Sequence, residues 1–209
     1  MIKYIICSAP VEYKINGHDI YDSFDLISQG KSSAPLGKNA KKIISKHNFP
    51  FNINKIKKIY TARRGQTVET AKLIIRIKQL SDVKVIRLSC LNGVKFSMPQ
   101  LISKKEFDNL EYQEAIKRAR QEFAAKLYNN QLLESFDSVR RRLKEFLYLV
   151  NKDGEEVLFI SHSFYMRILE VYLKQPKALD DINFFIKSFN PGKRPYIPLD
   201  GFSFNNRAM

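Results

Sequence analysis

A histidine stands where a buried strand gives way to a helix. The stretch from Glu156 to Leu169 opens with an apolar run, continues as Ser161-His162-Ser163 and ends in a helical pattern. Open α/β sheets carry their chemistry at the carboxyl ends of the strands, where His162 would lie. An imidazole there can bind or protonate a phosphoryl oxygen, and the helix N-terminus beside it favours anions. The plainer interpretation is a serine-capped helix with an ordinary histidine.

A second group of polar residues follows an earlier strand. Arg63, Arg64 and Gln66 come directly after the apolar residues 56–61. Arginine can hold an oxyanion with its charged, forked guanidinium, whereas glutamine offers only neutral hydrogen bonds. The two arginines are therefore candidate anion ligands, and exposed loop arginines are the alternative.

Two cysteines and a serine also follow predicted strands. Cys7 and Ser8 end the first strand, and Cys90 follows the third. The two cysteines have no metal-ligand spacing, so no metal or cofactor is predicted. They are either reduced buried thiols or thiols that face the same cleft as the histidine.

Short apolar runs alternate with longer helical patterns along the chain. Strands are predicted over 2–7, 56–61, 83–88 and 156–161, and a proline-bearing edge strand within 196–204. Helices are predicted over 36–47, 66–80, 103–128, 134–151 and 163–174. This alternation predicts an α/β fold with three layers, a mostly parallel sheet with helices on both faces. The whole chain, 1–209, is expected to form a single domain.

Composition and charge narrow the classes of function. Hydrophobic residues make up 44% and charged residues 27% of the 209 residues, which is ordinary for a globular protein. No apolar run approaches the ~20 residues that span a bilayer, and the first residues lack a cleavable signal, so a cytoplasmic protein is expected. The net charge of +15 attracts phosphates, nucleic acid or an acidic partner. No nucleic-acid-binding motif accompanies it.

Three segments together resemble the histidine phosphatase (phosphoglycerate mutase-like) superfamily. The His162 segment resembles that family's second-histidine motif. Residues 59–74 are similar to its Ser-Pro-Leu-x-Arg turn and the helix that follows, and residues 132–143 to its Gly-Glu-Ser helix start. The order of the segments also matches, so the resemblance implies the phosphoglycerate mutase-like fold.

The same resemblance implies that the catalytic pocket has changed. Cys7 and Ser8 occupy the places of the arginine and the nucleophilic histidine in the family's Arg-His-Gly motif. Gln66 occupies the place of a phosphate-binding arginine, and Cys90 that of a glutamate acid. His162 alone keeps the family's residue. Losing the nucleophile and two positive charges removes the groups that accept and hold a phosphoryl group.

A catalytically degenerate protein, or pseudoenzyme, is therefore expected. It would bind an anionic or phosphorylated small molecule, or an acidic partner protein, through a retained cleft or a basic surface. The residues predicted to contact the ligand are Cys7, Ser8, Arg63, Arg64, Gln66, Cys90, His162 and Ser163.

Two alternatives remain open. An enzyme with a rebuilt site would use Cys7, Cys90 or Ser8 with His162 for group transfer or hydrolysis, and its cysteine would need a depressed pKa. A nucleic-acid-binding protein would use the +15 field, and its affinity would fall steeply with salt.

Overall fold

One five-stranded sheet organises the chain. The computed structural model describes residues 2–14, 17–152, 154–191 and 196–205. The strands are β1 (Ile2–Cys7), β2 (Lys58–Thr61), β3 (Lys84–Arg87), β4 (Val157–Ser161) and β5 (Gly201–Asn205). Their order is β3-β2-β4-β1-β5, with β5 antiparallel to β1 and the other pairs parallel. The mostly parallel sheet and the edge strand near the C-terminus are both as predicted.

Eight helices surround the sheet in the described part of the chain. They are α1 (Ile20–Gln29), α2 (Ala40–Lys46), α3 (Gly65–Ile77), α4 (Lys104–Asp108), α5 (Tyr112–Tyr128), α6 (Phe136–Lys152), α7 (Ser163–Lys174) and α8 (Ile182–Phe189).

The helices lie on both faces of the sheet and form three layers with it. On one face, Ala40 and Ile44 of α2 and Ala71 and Ile74 of α3 pack with alternate strand residues such as Ile59. On the other face, α5 to α8 share a larger cluster with β1 and β4, and that cluster includes the ring pair Phe146–Phe159. β4 is buried along its whole length because it lies at the centre of the sheet. No helix in the described ranges is long and apolar enough to cross a membrane.

Two helices were not predicted, and one predicted helix is divided. α1 begins where the Asp19 carboxylate accepts from the Asp22 amide and ends at Gly30, whose φ of 78° suits glycine. Its Asp and Ser residues disfavour helix, and its buried side chains include Tyr21 and Ile27. α8 begins similarly at an aspartate cap. The predicted helix over 103–128 ends at Asn109 and restarts at α5, so a turn separates its two parts.

The strand register places the candidate site. Cys7 lies beside Ser161, and Thr61 lies beside Ile160, so β1, β2 and β4 end at the same edge of the sheet. The residues that follow these strands therefore meet there. The C-terminal segment reaches the same edge, since Leu199 donates to the Cys7 carbonyl and the Cys7 amide donates to Asp200.

Candidate functional site

His162 is the residue on which the site is built. It is the N-cap of α7 and accepts from the Met166 amide through its carbonyl at 2.9 Å. The preceding Ser161 hydroxyl donates to the Leu91 carbonyl at 2.6 Å, which fixes the end of β4 against the 3₁₀ turn at 89–91. The imidazole is thereby held at the carboxyl edge of the sheet, beside the N-terminal end of a 12-residue helix.

The imidazole forms a pair with Gln66. The Gln66 amide nitrogen lies 3.1 Å from His162 Nδ1, although 96 residues separate them. With the amide in this orientation, Nδ1 accepts the hydrogen bond and the neutral ring carries its proton on Nε2. Gln66 is 7% exposed, and neither its Oε1 nor His162 Nε2 has a partner among the described residues.

Burial and nearby cations keep His162 neutral. Burial, together with the positive charges of Arg64 and Arg142, lowers its pKa from 6.5 to about 3. An imidazole with that pKa is uncharged at neutral pH. Since Gln66 is also neutral, the pair contributes hydrogen-bonding atoms and no formal charge.

Gly93 packs against one face of the imidazole. A methyl group at Gly93 would lie 3.2 Å from His162 Cγ, so no larger residue fits without displacement. The neighbouring Asn92 side chain accepts from the Arg63 amide at 2.9 Å, and the Asn92 carbonyl accepts from Arg142. The loop after β3 is therefore tied to the same edge as His162.

A buried ion pair supports that loop. Arg142 donates through Nε to Glu134 at 2.9 Å and through its second nitrogen at 3.0 Å, with side chains only 13% and 12% exposed. Glu134 also accepts from the Lys95 amide at 3.1 Å. Glu134 lies two residues before α6 and Arg142 lies within it, so the turn that leads into the helix brings the two together, and no helical spacing indicates the pair.

The two predicted arginines have different positions. Arg63 is exposed. The Arg64 guanidinium is half-buried and donates to the Ile27 carbonyl at 2.8 Å, near the C-terminal end of α1. Burial lowers the pKa of Arg64, with a further contribution from Arg142. Arg64 therefore serves partly to cap a helix.

The thiols and Ser8 lie deeper than the imidazole. Cys7 is 8% exposed and Cys90 is fully buried, and both are free cysteines. Burial raises the pKa of each thiol to about 12, although Ser8 and the Ser163 amide hydrogen-bond Cys7 and oppose the shift. Ser8 is 6% exposed, and its amide donates to the Ser161 carbonyl.

A cavity of about 290 Å³ opens beside the Gln66–His162 pair. Of the predicted site residues, Arg64, Gln66, His162 and Ser163 line it, whereas Cys7, Ser8, Arg63 and Cys90 are not among its lining residues. Six aromatic side chains also line it: Tyr13, Phe24, Phe96, Tyr112, Phe164 and Tyr196. Arg120 supplies a second guanidinium, and none of the described lining residues is acidic.

Most of the residues that line the cavity could not be identified from the sequence. Tyr13 lies before α1, Tyr112 begins α5, and Tyr196 follows α8, so nothing in their spacing connects them. They meet because three separate segments converge above the carboxyl edge of the sheet. The part of the chain that the structure describes contains no group of three or more His, Cys, Asp or Glu side chains that could hold a metal ion.

Comparison with solved structures gives the same fold. The protein YhfR of Bacillus stearothermophilus is 18% identical, with 83% of this chain and 79% of that chain covered at a TM-score of 0.55. The α-ribazole phosphatase of Shigella flexneri is 13% identical, with coverages of 86% and 83% and a TM-score of 0.52. A mycobacterial glucosyl-3-phosphoglycerate phosphatase is 13% identical, with coverages of 97% and 90% and a TM-score of 0.51.

Sequence comparison adds the family. No curated protein matches the chain. The family model of the histidine phosphatase superfamily, branch 1, matches residues 27–184, which is more than half of the chain and includes both Gln66 and His162. The chain belongs to the histidine phosphatase superfamily.

Proposed function

We propose that this protein is a pseudoenzyme of its superfamily that binds an anionic small molecule in the cavity beside His162. The observation that carries the proposal is the Gln66–His162 pair. The place expected to hold a phosphate-binding arginine contains a neutral amide, and that amide is hydrogen-bonded to the one retained histidine, which is itself neutral. Such a pair can orient a ligand, but it adds no positive charge to stabilise a phosphoryl group in transfer.

The position of the expected nucleophile supports the absence of turnover. Ser8 stands where the family's phosphorylated histidine is expected, and its hydrogen bond goes to the Cys7 thiol, which is a poor base partner. A serine needs an adjacent base to attack phosphorus or carbon. His162 is already engaged with Gln66 through Nδ1.

The cavity favours an anion with an apolar body. Arg64 and Arg120 provide positive charge, and Ser163 places the N-terminal end of α7 at the wall. Aromatic rings form much of the remaining wall, and rings bind flat apolar groups well. The volume of about 290 Å³ lies near the lower end of ligand pockets. A compact aryl or short-chain phosphate or carboxylate fits this combination.

The rebuilt-enzyme alternative requires a reactive thiol or serine. Burial raises the pKa of both Cys7 and Cys90 to about 12, so both thiols stay protonated at pH 7. Neither thiol lies among the lining residues of the cavity. These observations favour binding over thiol chemistry.

Phosphatase assays and thermal shifts test the proposal together. We expect the wild type to show no turnover of an aryl phosphate above the buffer rate. We expect phenyl phosphate to raise the unfolding temperature, and to do so less in His162→Ala. The matched control is His47→Ala, because the buried Nε2 of His47 also lacks a hydrogen-bond partner among the described residues, but His47 lies at the C-terminal end of α2 and does not line the cavity.

Three results would count against the proposal. Turnover that disappears in His162→Ala and persists in His47→Ala would overturn the pseudoenzyme proposal. Stabilisation that is equal in both variants would place the ligand outside this cavity. Absence of any shift with phenyl phosphate, benzoate and inorganic phosphate would contradict an anion site here.

A further inference from the structure

The positive charge of this protein is concentrated in one part of the chain. Residues 36–88 contain 14 of the 36 Lys and Arg residues but only two acidic residues, Glu69 and Asp82. This quarter of the chain therefore carries twelve of the fifteen net positive charges. All of its residues lie within the described ranges.

The fold places these charges in one helical layer of the molecule and on the strand beside it, because α2 and α3 cover the same face of the sheet. The segment forms α2, β2, α3 and β3, and β3 is the outermost strand of the sheet. α2 packs on α3, and Lys78 ties their C-terminal ends by donating to the His47 carbonyl. We call the exposed cations of α2, α3, β3 and the segment 55–57 before β2 the basic face. Its members are Lys41, Lys42, Lys46, Lys55, Lys57, Lys72, Arg76, Lys84 and Arg87.

The basic face is not neutralised from within the protein. None of its nine side chains forms an ion pair with a carboxylate in the described part of the chain. On the opposite layer the pattern differs, since Arg140 pairs with Asp180 and Lys174 with Glu170. Uncompensated like charges repel one another, so this surface gains most from a polyanionic partner.

The basic face also lacks the apolar centre of a protein interface. Ile43, at 38% exposed, is the one large apolar side chain of residues 36–88 among those that are exposed. Protein–protein interfaces need a desolvated core with aromatic or aliphatic anchors, and peripheral membrane helices bury a broad apolar face. A partner that is held mainly by charge therefore fits this surface better than a protein or a membrane does. Nucleic acid is such a partner, because contacts to its phosphates supply most of the nonspecific affinity of proteins for it.

We propose that the basic face binds the phosphodiester backbone of a nucleic acid without base selectivity. This inference rests on the charge distribution and is independent of the cavity and its ligand. Lysines dominate the surface, and lysine binds phosphate as a point charge rather than by reading base edges.

The dimensions of the surface set the expected salt dependence. α3 has 13 residues and is about 20 Å long. Duplex DNA carries one charge per about 1.7 Å of axis, so about a dozen phosphates lie along that length and about five or six face the protein. The logarithm of affinity should then fall with the logarithm of salt with a slope of about −5, or roughly 10³-fold between 50 and 200 mM.

The test compares two sets of charge reversals with the same net charge. K41E/K42E/K46E removes the α2 part of the basic face, and K105E/K117E/K177E removes three exposed, unpaired lysines elsewhere. K41Q/K42Q/K46Q keeps good helix formers in α2 in case the reversal unfolds the protein. Circular dichroism melts verify folding. Fluorescence anisotropy with 20-base-pair DNA and 20-nucleotide RNA of two unrelated sequences measures binding from 50 to 200 mM salt.

We expect the α2 variants to lose at least tenfold in affinity at 100 mM salt and to reduce the slope by about 3, while the matched control changes less than threefold. Equal losses in both sets would overturn the proposal, because net charge alone would then explain binding. No binding of either nucleic acid at 50 mM salt would also overturn it. Binding to phosphatidylserine vesicles that needs α2, without nucleic-acid binding, would replace it with a membrane surface. A more than tenfold preference between sequences would contradict the absence of base selectivity.

Discussion

Removal of the Glu134 carboxylate should destabilise this protein strongly. The carboxylate accepts from two Arg142 nitrogens, from the Lys95 amide and, at 3.2 Å, from the Ser138 hydroxyl. Glu134→Ala leaves the Arg142 guanidinium 13% exposed without its counter-charge and leaves the Lys95 amide without its acceptor.

The magnitude follows from that burial. Breaking a buried ion pair by removing one partner costs about 3–5 kcal/mol, since the other charge remains uncompensated. The total stability of a domain is about 5–15 kcal/mol, so a large fraction would be lost. The loop that carries Gly93 should also open more readily, because Arg142 holds the Asn92 carbonyl.

Urea unfolding of matched variants measures the effect. Asp180→Ala removes the carboxylate of another α6 ion pair, with Arg140 at 2.7 Å, but those side chains are 37% and 62% exposed. We expect less than about 1 kcal/mol there. Glu134→Ala with Arg142→Met should recover part of the loss, because both buried charges are then gone, although the Asn92 carbonyl and the Lys95 amide remain without these partners.

A loss below 1 kcal/mol in Glu134→Ala, or no recovery in the double variant, would refute the reasoning. Hydrogen exchange adds an independent readout. Amides of residues 89–95 should exchange faster in Glu134→Ala than in Asp180→Ala, and equal exchange would show that the ion pair does not hold the loop.

Three further predictions concern the site. NMR titration should find His162 neutral down to about pH 3. Because its folded pKa lies below the unfolded value near 6.5, its contribution to stability should be complete above pH 6.5 and be lost as the pH falls towards 3. A folded pKa above 6 would contradict the burial argument. Gly93→Ala should destabilise by about 1–3 kcal/mol and weaken phenyl phosphate binding, because its methyl group meets the imidazole at 3.2 Å; unchanged melting and binding would be inconsistent with that contact. Cys7 and Cys90 should react with an aromatic disulfide at least 100-fold more slowly at pH 8 in the folded than in the unfolded protein, and fast reaction of either would revive thiol catalysis.

Local patterns in the sequence were sufficient for the order of the main elements. The buried run before His162 required a strand, the apolar spacing after Gly65 required a helix, and their alternation required parallel strands. Such signals are readable because each depends on residues a few positions apart. α1 was not predicted although both of its ends carry local signals, the Asp19 cap and Gly30.

The concentration of charge could also have been read from the sequence, since residues 36–88 are contiguous. The net charge of the whole chain does not reveal this concentration. The tertiary structure added that α2 packs on α3 and that α3 packs on β3, which joins the biased segment into one layer of the fold.

The sequence by itself determined the α/β alternation and the place of His162 at a strand end. Only the tertiary structure decided that Gln66 hydrogen-bonds His162, that Arg64 reaches the end of α1, and that the two thiols are buried away from the cavity walls. The physical reason is the distance along the chain between the residues that determine each feature. Secondary structure follows from neighbours along the chain, whereas hydrogen bonds, burial and pKa values depend on groups that packing brings together from distant segments.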